Sequence, residues 1–365
     1  MTARADVIAD AARRCGFSHA GAAPLGPLDR GPFLAAWLAE GRAGEMGYLA
    51  TRTAERIDPR LRLPWAQSVL SFTYPYAPPP APPADWQRTL RGRIAAYALD
   101  TDYHDRVRTQ LHTLAARLGV AYPGARFHAD VDTGPVLERE WGARAGLGWI
   151  GRHTLLLRRD GGSYFFLAEL FTDLEVEPMP PAANHCGTCT RCVAACPTGA
   201  LDGAYGMDPR RCLSYLTIEH RSAIPRALRA DLGNWIFGCD LCQEACPWNG
   251  DARATGDALT PHLPTLLALD ADGFRARFGR TAVRRAKRRG LLRNVAVALG
   301  NSGNPEAVPA LAAALGDPEP LVRSHAAWAL GQLGGPTAHH ALSAATRHEP
   351  DPEVSVELTA ALDGS

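Results

Sequence analysis

The stretch CGTCTRCVAACP, Cys186 to Pro197, sets four cysteines in the form C-x2-C-x2-C-x3-C-P, and a thinner cluster, CDLCQEACPWN, follows at Cys239 to Asn249. Eight of the nine cysteines fall between 186 and 246. In ferredoxin-type runs the first three thiolates hold one [4Fe–4S] cluster and the fourth reaches over to a second. The second half lacks one cysteine of the usual quartet, and Cys212 is placed to supply it. The ligands then divide into Cys186, Cys189, Cys192 and Cys246 for one cluster, and Cys196, Cys212, Cys239 and Cys242 for the other. Zinc also takes C-x-x-C pairs, but as two pairs separated by a loop rather than four thiolates crowded around one larger object. Clusters relay electrons one at a time, so bond-breaking chemistry calls for a further redox centre.

The rest of the chain is that of a globular protein. Its 365 residues exceed a comfortable single core, and 46% hydrophobic with 21% charged residues gives no sign of global disorder. The net charge is +1, so attraction to a polyanion has to come from a local patch. No apolar run reaches the ~18 residues a membrane span needs. The N-terminus lacks the apolar core of a signal peptide and a twin-arginine start, so a cytoplasmic location is expected. In that reducing compartment clustered cysteines argue for metal chemistry rather than disulfides. Cys15 stands alone and reads as a small buried hydrophobe.

Residues 1–180 read as one α+β domain. The first helix carries Val7, Ile8, Ala11 and Ala12 on one side. AQSVLSFTYPYA is a strand running into an extended loop from Pro75 to Pro83. GRIAAYALDTDYHDRVRTQLHTLAARLG is a strand, a turn and a helix with Val107, Leu111, Leu114 and Leu118 at helical spacing. ARFHADVDTGP is a strand ending in a polar turn, VLEREWGARAGLGWIGRHTLLLRR a helix, a glycine-rich turn and a strand, and SYFFLAELFTDLE a further strand. The glycines of GLGWIG follow a helix rather than a strand, which discounts a dinucleotide site. Residues 181–250 form the two-cluster module and 251–290 a basic linker. Residues 291–365 form a short HEAT-like repeat, in which Leu299, Leu330 and Leu362 recur at steps of 31 and 32, the first two followed by a glycine read as a helix stop.

VDTGPVLEREWGARAGLGWIGRHTLLL, followed by CGTCTRCVAACPTGA, RCLSYLTIEHR and GCDLCQEACPWN, resembles the epoxyqueuosine reductase family over essentially the whole chain. The resemblance implies a nitroreductase-like cobalamin-binding domain, a ferredoxin-like double [4Fe–4S] module and a C-terminal HEAT-like repeat. It implies reduction of epoxyqueuosine to queuosine at the wobble position of tRNAs with a GUN anticodon, by low-valent cobalamin fed through the clusters from an external low-potential donor. A monomer with no membrane association is expected. The family motif puts the proton donor on Asp132, which should then lie in an apolar, water-poor pocket; the residue-level alternative is a helix cap for a helix starting near Pro135. Cobalamin contacts are implied at Arg56, His153, Leu156, Ser214, Cys239 and Asp240. GRHT stands where many relatives have Gly-Lys-Asn-Thr. No D-x-H-x-x-G pattern occurs, so no protein ligand to cobalt is expected. Tyr103 and His104 of DTDYH match the family as pocket residues, with capping and packing as the alternative. A small-molecule reductive dehalogenase relative and an iron–sulfur electron carrier with a partner-binding repeat are the competing readings.

GRTAVRRAKRRGLLRN, Gly279 to Asn294, has seven basic residues and no acidic one. Arg284, Arg285, Lys287, Arg288, Arg289 and Arg293 are expected on tRNA phosphates, together with Arg280. The alternative is a solvated charged helix leading into the repeat.

Overall fold

The computed structural model describes residues 2–78, 84–250 and 260–363. Its chain gathers into two compact units, one of Met1–Pro78, Asp102–Asp208 and Leu241–Ala252, the other of Pro79–Thr101, Pro209–Asp240 and Arg253–Ser365. Part of the Pro75 to Pro83 loop, and the first residues of the expected linker, lie outside the described residues.

The first unit is built on a four-stranded antiparallel sheet. Its strands are β1 (His19–Pro24), β2 (Ser68–Pro75), β3 (Phe127–Asp130) and β4 (Phe165–Thr172), in the order β1-β2-β4-β3. Both faces are covered, which is why β2 reads as a nearly continuous apolar run rather than an alternating one. Leu70, Phe72, Ala168 and Leu170 face a core shared with α1 (Ala5–Arg14) and α2 (Tyr103–Ala121), where Val107, Leu111, Leu114 and Leu118 are fully buried. Cys15 lies in the same core. On the opposite face Val69, Phe171 and Ala23 pack on Trp141 of α3 (Glu138–Arg144). Strand β1 carried no expectation, because HAGAAP has neither alternation nor β-branched residues; pairing with β2 along its whole length makes it a strand.

In the second unit, the expected strand at Arg93–Ile94 pairs in parallel with Trp235–Phe237, away from the four-stranded sheet. The repeat comprises α4 (Lys287–Gly300), α5 (Val308–Ala314), α6 (Pro320–Leu333), α7 (Gly335–Thr346) and α8 (Pro352–Asp363). Gly331 is not a helix stop: α6 runs through it and ends against Gly334, which has φ +63°. A Cβ on Gly300 would lie 2.8 Å from the Ala329 Cα, and one on Gly331 would lie 2.9 Å from the Ala361 Cα. The 31-residue recurrence of glycine therefore marks close helix crossings of α4 on α6 and α6 on α8.

Candidate functional site

One site of the first unit assembles around the turn after β3. Asp132 lies two residues past the end of the strand and adopts a left-handed conformation, φ 53°, which a short polar side chain tolerates. Its main-chain N–H donates to Glu138 Oε1 at 2.5 Å. The Arg56 guanidinium donates to the Gly134 carbonyl at 3.3 Å and to the Tyr48 carbonyl at 3.3 Å, clamping the same turn from another side. The helix α3 begins at Glu138 with Leu137 in the cap position and no side-chain cap, so Asp132 does not cap it.

The Asp132 carboxylate points instead to α2. His104 Nε2 is 2.7 Å from Asp132 Oδ2, and His104 Nδ1 is 2.7 Å from Asp102 Oδ1. Asp102 is buried and also accepts the His104 main-chain N–H at 3.0 Å, capping α2 with the carboxylate that orients the ring. Tyr103 stacks on the His104 ring at 4.0 Å and on Phe166 of β4 at 4.1 Å. Burial disfavours the charged imidazolium, but hydrogen bonds to Asp132 and Asp102 outweigh it and leave His104 raised above its ordinary range. The Asp132 side chain is 50% exposed, so the expected apolar, water-poor pocket does not surround it; its environment is an ion pair. Sequence reading singled out Tyr103 and His104 but missed Asp102 and Glu138. For Asp102 a signal existed, since Asp-x-His at a helix start lets one carboxylate cap the helix and hold the ring.

Behind Asp132 lies an acidic interior. Burial, then the adjoining Asp132 charge, pushes Glu138 up to about 8. Glu169 of β4 is fully buried beside Asp130 of β3, its register partner, and burial raises it well above the usual carboxylate range.

The second site of the first unit is a cavity of ≈ 300 Å³ lined by Cys186, Cys189, Cys192 and Cys246 with Arg152, His153 and Trp248 among its other walls. These four cysteines are the set that spacing assigned to one cluster. The Asn184 side chain accepts the Cys186 main-chain N–H at 2.9 Å, and the Cys189 N–H donates to the Cys186 carbonyl at 3.0 Å, turning the loop around the cavity. Cys246 precedes a short 3-10 turn, Pro247–Asn249, and Asn249 is tied to Ser163, whose N–H it accepts at 2.7 Å. His185 packs between Trp149 and Trp248, with ring centroids at 4.9 and 5.7 Å. Burial pushes the Cys192 and Cys246 thiols up, so a metal has to displace their protons on binding. A thiol-lined cavity of this kind suits an iron–sulfur cluster. Cys196 lies in the same unit, and its Sγ accepts the Ala200 N–H at 3.3 Å. Cys242 is part of this unit too, whereas Cys212 and Cys239 belong to the second.

The remaining expected contacts fall in both units. His153 is buried in the wall of the cysteine cavity. Leu156 is 2% exposed in a short hairpin with Trp149–Ile150 and packs near Gly142 of α3. In the second unit Ser214 and Cys239 are partly buried, while Asp240 is buried and accepts the Ala96 main-chain N–H at 2.6 Å.

The basic run divides into two kinds of residue. Arg293 is fully buried: it donates to the carbonyls of Leu216, His220 and Ser222 at 2.6 to 2.8 Å, and no phosphate reaches it. Arg288 pairs with Asp317 at 2.5 Å, and Arg285 makes a two-pronged contact with Glu219 at 2.9 and 3.0 Å. Arg293 and Arg288 are structural ties, contrary to the expectation that the run as a whole faces nucleic acid, whereas the Arg285 side chain stays half-exposed in its surface pair; each finds an acceptor that is remote in sequence. Arg280, Arg284 and Lys287 are exposed and Arg289 partly so.

Comparison with known proteins agrees with this layout. A family model for epoxyqueuosine reductase QueG, DUF1730, matches residues 56–133, one for a 4Fe-4S double cluster binding domain matches 185–249, and one for HEAT repeats matches 281–363. The chain is 42% identical to an epoxyqueuosine reductase of Xanthomonas campestris over 88% of its own length and 94% of that protein. It is 41% identical to one of Pseudomonas aeruginosa over 90% and 94%. Among solved structures, an epoxyqueuosine reductase crystallised with an epoxyqueuosine-modified tRNA-Tyr stem loop superposes with a TM-score of 0.91 at 29% identity, covering 98% of this chain and 97% of that one. The Bacillus subtilis enzyme, with its catalytic aspartate loop swung out of the active site, gives 0.90 at 28% identity and 98% coverage of both chains. No helix among the described residues is long and apolar enough to cross a membrane. With a double cluster module, a HEAT-like repeat and relatives above 40% identity along nearly the whole length, the chain belongs to the epoxyqueuosine reductase family of oxidoreductases.

Proposed function

We propose that this enzyme reduces epoxyqueuosine to queuosine at the wobble position of tRNAs with a GUN anticodon, with Asp132 as proton donor to the departing oxygen. Loss of an epoxide oxygen as water, leaving an alkene, consumes two electrons and two protons. The observation that carries the reading is the Asp102–His104–Asp132 chain: a buried carboxylate orients a ring that bonds a second, half-exposed carboxylate able to meet a nucleotide. His104, whose protonated form is favoured by hydrogen bonds to its two carboxylates, delivers a proton through Nε2 to Asp132 Oδ2, and Asp132 hands it to the substrate oxygen. Arg56 and Glu138 hold the strained turn so that the carboxylate stays aimed.

Two [4Fe–4S] clusters are proposed on Cys186, Cys189, Cys192 and Cys246, and on Cys196, Cys212, Cys239 and Cys242, reduced by an external low-potential donor. Cobalamin, when bound, would supply low-valent cobalt as the reductant at carbon. Arg56, Ser214 and Cys239 offer it partly exposed edges. Leu156 and Asp240 are buried members of the set that the family resemblance implies for it, and His153, a further member, is buried in the wall of the cysteine cavity. The exposed cations Arg280, Arg284 and Lys287, with Arg289, are the proposed phosphate contacts. A cytoplasmic monomer satisfies these roles. Turnover of an epoxyqueuosine-bearing anticodon stem loop by Asp132→Asn tests the assignment: abolished queuosine formation with unchanged iron content and stem-loop affinity supports it, and wild-type turnover overturns it.

A further inference from the structure

Three N–H groups beside the cysteine cavity have no hydrogen-bond partner among the described residues. His153 is 3% exposed, lines the cavity, and its Nε2 is buried and unpartnered. Its Nδ1 accepts the Leu155 main-chain N–H at 3.2 Å, so the ring hydrogen resides on Nε2. Arg152, also in the wall, has its terminal nitrogens occupied by the Gly203 and Gly187 carbonyls, and its Nε is buried and unpartnered. The third is Trp149 Nε1, on a ring that packs with Cys246 and Cys186. A buried donor left unmade costs about 1–3 kcal/mol, and two on residues in the wall of one small cavity call for an acceptor-rich anionic occupant.

We propose that His153 Nε2–H and Arg152 Nε–H donate hydrogen bonds to the sulfur atoms of the cluster held by Cys186, Cys189, Cys192 and Cys246, and thereby set its reduction potential. This deepens the reading of the cavity as a cluster site and rests on it. Each N–H···S bond favours the more negative, reduced state, so the cluster accepts electrons more readily than it would in an apolar wall. A donor is needed rather than a positive charge. His153 therefore serves as a neutral ring with its hydrogen directed at sulfur, and Arg152 is anchored by two carbonyls on its terminal nitrogens while its buried Nε–H has no partner among the described residues. Neither residue touches the reacting atoms; both position and tune the electron path.

The test uses the reconstituted full-length protein. Iron and sulfide analysis of Cys246→Ala comes first: unchanged iron would remove the cavity as a cluster site and the proposal with it. With the cavity cluster identified as the one that variant loses, pulsed EPR on reduced wild-type protein carrying ¹⁵N-histidine should show a nitrogen hyperfine coupling sensitive to the label. Potentiometric EPR on His153→Phe should show that cluster's oxidised-to-reduced ratio shifted about tenfold toward oxidised at fixed potential, ~59 mV for one electron. His153→Asn, which keeps an N–H donor, should recover part of the shift. A fully loaded wild-type protein without histidine coupling, or an unshifted potential in a loaded His153→Phe, overturns the proposal while leaving the cluster reading intact. Because His185 lines the same cavity, the labelled measurement is repeated on His185→Phe: a coupling that persists there belongs to His153 and decides the matter even if the His153→Phe variant fails to load, and one that vanishes overturns the proposal.

Discussion

Replacing His104 is the sharpest probe of the proton path. The ring makes two 2.7 Å contacts, to a nearly buried Asp102 and a half-exposed Asp132. A charge-assisted hydrogen bond contributes about 1.5–3 kcal/mol, and the exposure of Asp132 favours the lower end. Misplacing Asp132 alone should therefore slow turnover roughly tenfold. Loss of the proton store adds a general-acid contribution, itself about 10²–10⁴. We expect His104→Leu to lower the single-turnover rate by about 10² or more. His104→Gln, which keeps an N–H toward Asp132 but cannot be protonated, should fall between it and wild type. The pH profile separates the two effects. Because the folded-state pKa of His104 is raised, the protonated ring persists above ~6.5, and the rate should decline as pH rises through the raised value. The ring's contribution to stability follows the same course, complete below ~6.5 and lost as pH rises through the folded value. The assay is anaerobic single turnover with excess reconstituted enzyme over an epoxyqueuosine stem loop, with the nucleoside product quantified by mass spectrometry from about pH 6 to 9. A His104→Leu rate within twofold of wild type, or a descending limb that survives in His104→Gln, would refute the relay.

Cys246→Ala should lose about four of ~8 irons per chain, while Cys15→Ser, altering a residue of the first core, should lose none; colorimetric iron analysis checks both. Lys287→Ala and Arg280→Ala should each reduce the salt slope of stem-loop binding by about 1, measured by anisotropy over a salt series. Arg293→Ala, which leaves the buried Leu216 carbonyl and the less buried His220 and Ser222 carbonyls without their donor, should cost about 3 kcal/mol of stability and leave that slope unchanged. His325 is fully buried, accepts the Ile224 main-chain N–H at 3.1 Å, and burial holds it well below its ordinary range. It is neutral when folded and takes a proton when unfolded, so stability should fall as pH drops below ~6.5. Urea midpoints across that interval should show the loss in wild type and a flatter profile in His325→Gln.

How far each feature could be read ahead of the fold depends on the distance over which its cause acts. Thiolates three or four residues apart wrap one object whatever surrounds them, which made Cys186, Cys189 and Cys192 readable from spacing; Cys246 was joined to them by the crossover of ferredoxin-type runs, and the four line one cavity. The apolar stripe of α2 was readable for the same reason, since helical periodicity is local. Strand β1 was not, because HAGAAP becomes a strand only through its partner.

Charge was the least legible property. A run of arginines looks alike whether it meets solvent or protein, and only packing distinguished the buried Arg293 from the exposed Lys287. Gly331 looked like a helix stop until the approach of α8 supplied another reason for it. His153 could be any buried histidine until its wall proved to be thiols. Asp132 and His104, 28 residues apart on a turn and a helix, meet because β3 and α2 are packed on the same sheet. Local spacing thus pointed to the thiols of the C-x2-C-x2-C run, whose geometry a few bonds of chain can enforce. The proton path and the sorting of the cations were left to tertiary structure, since both depend on which distant groups are brought within 3 Å and which are kept from water.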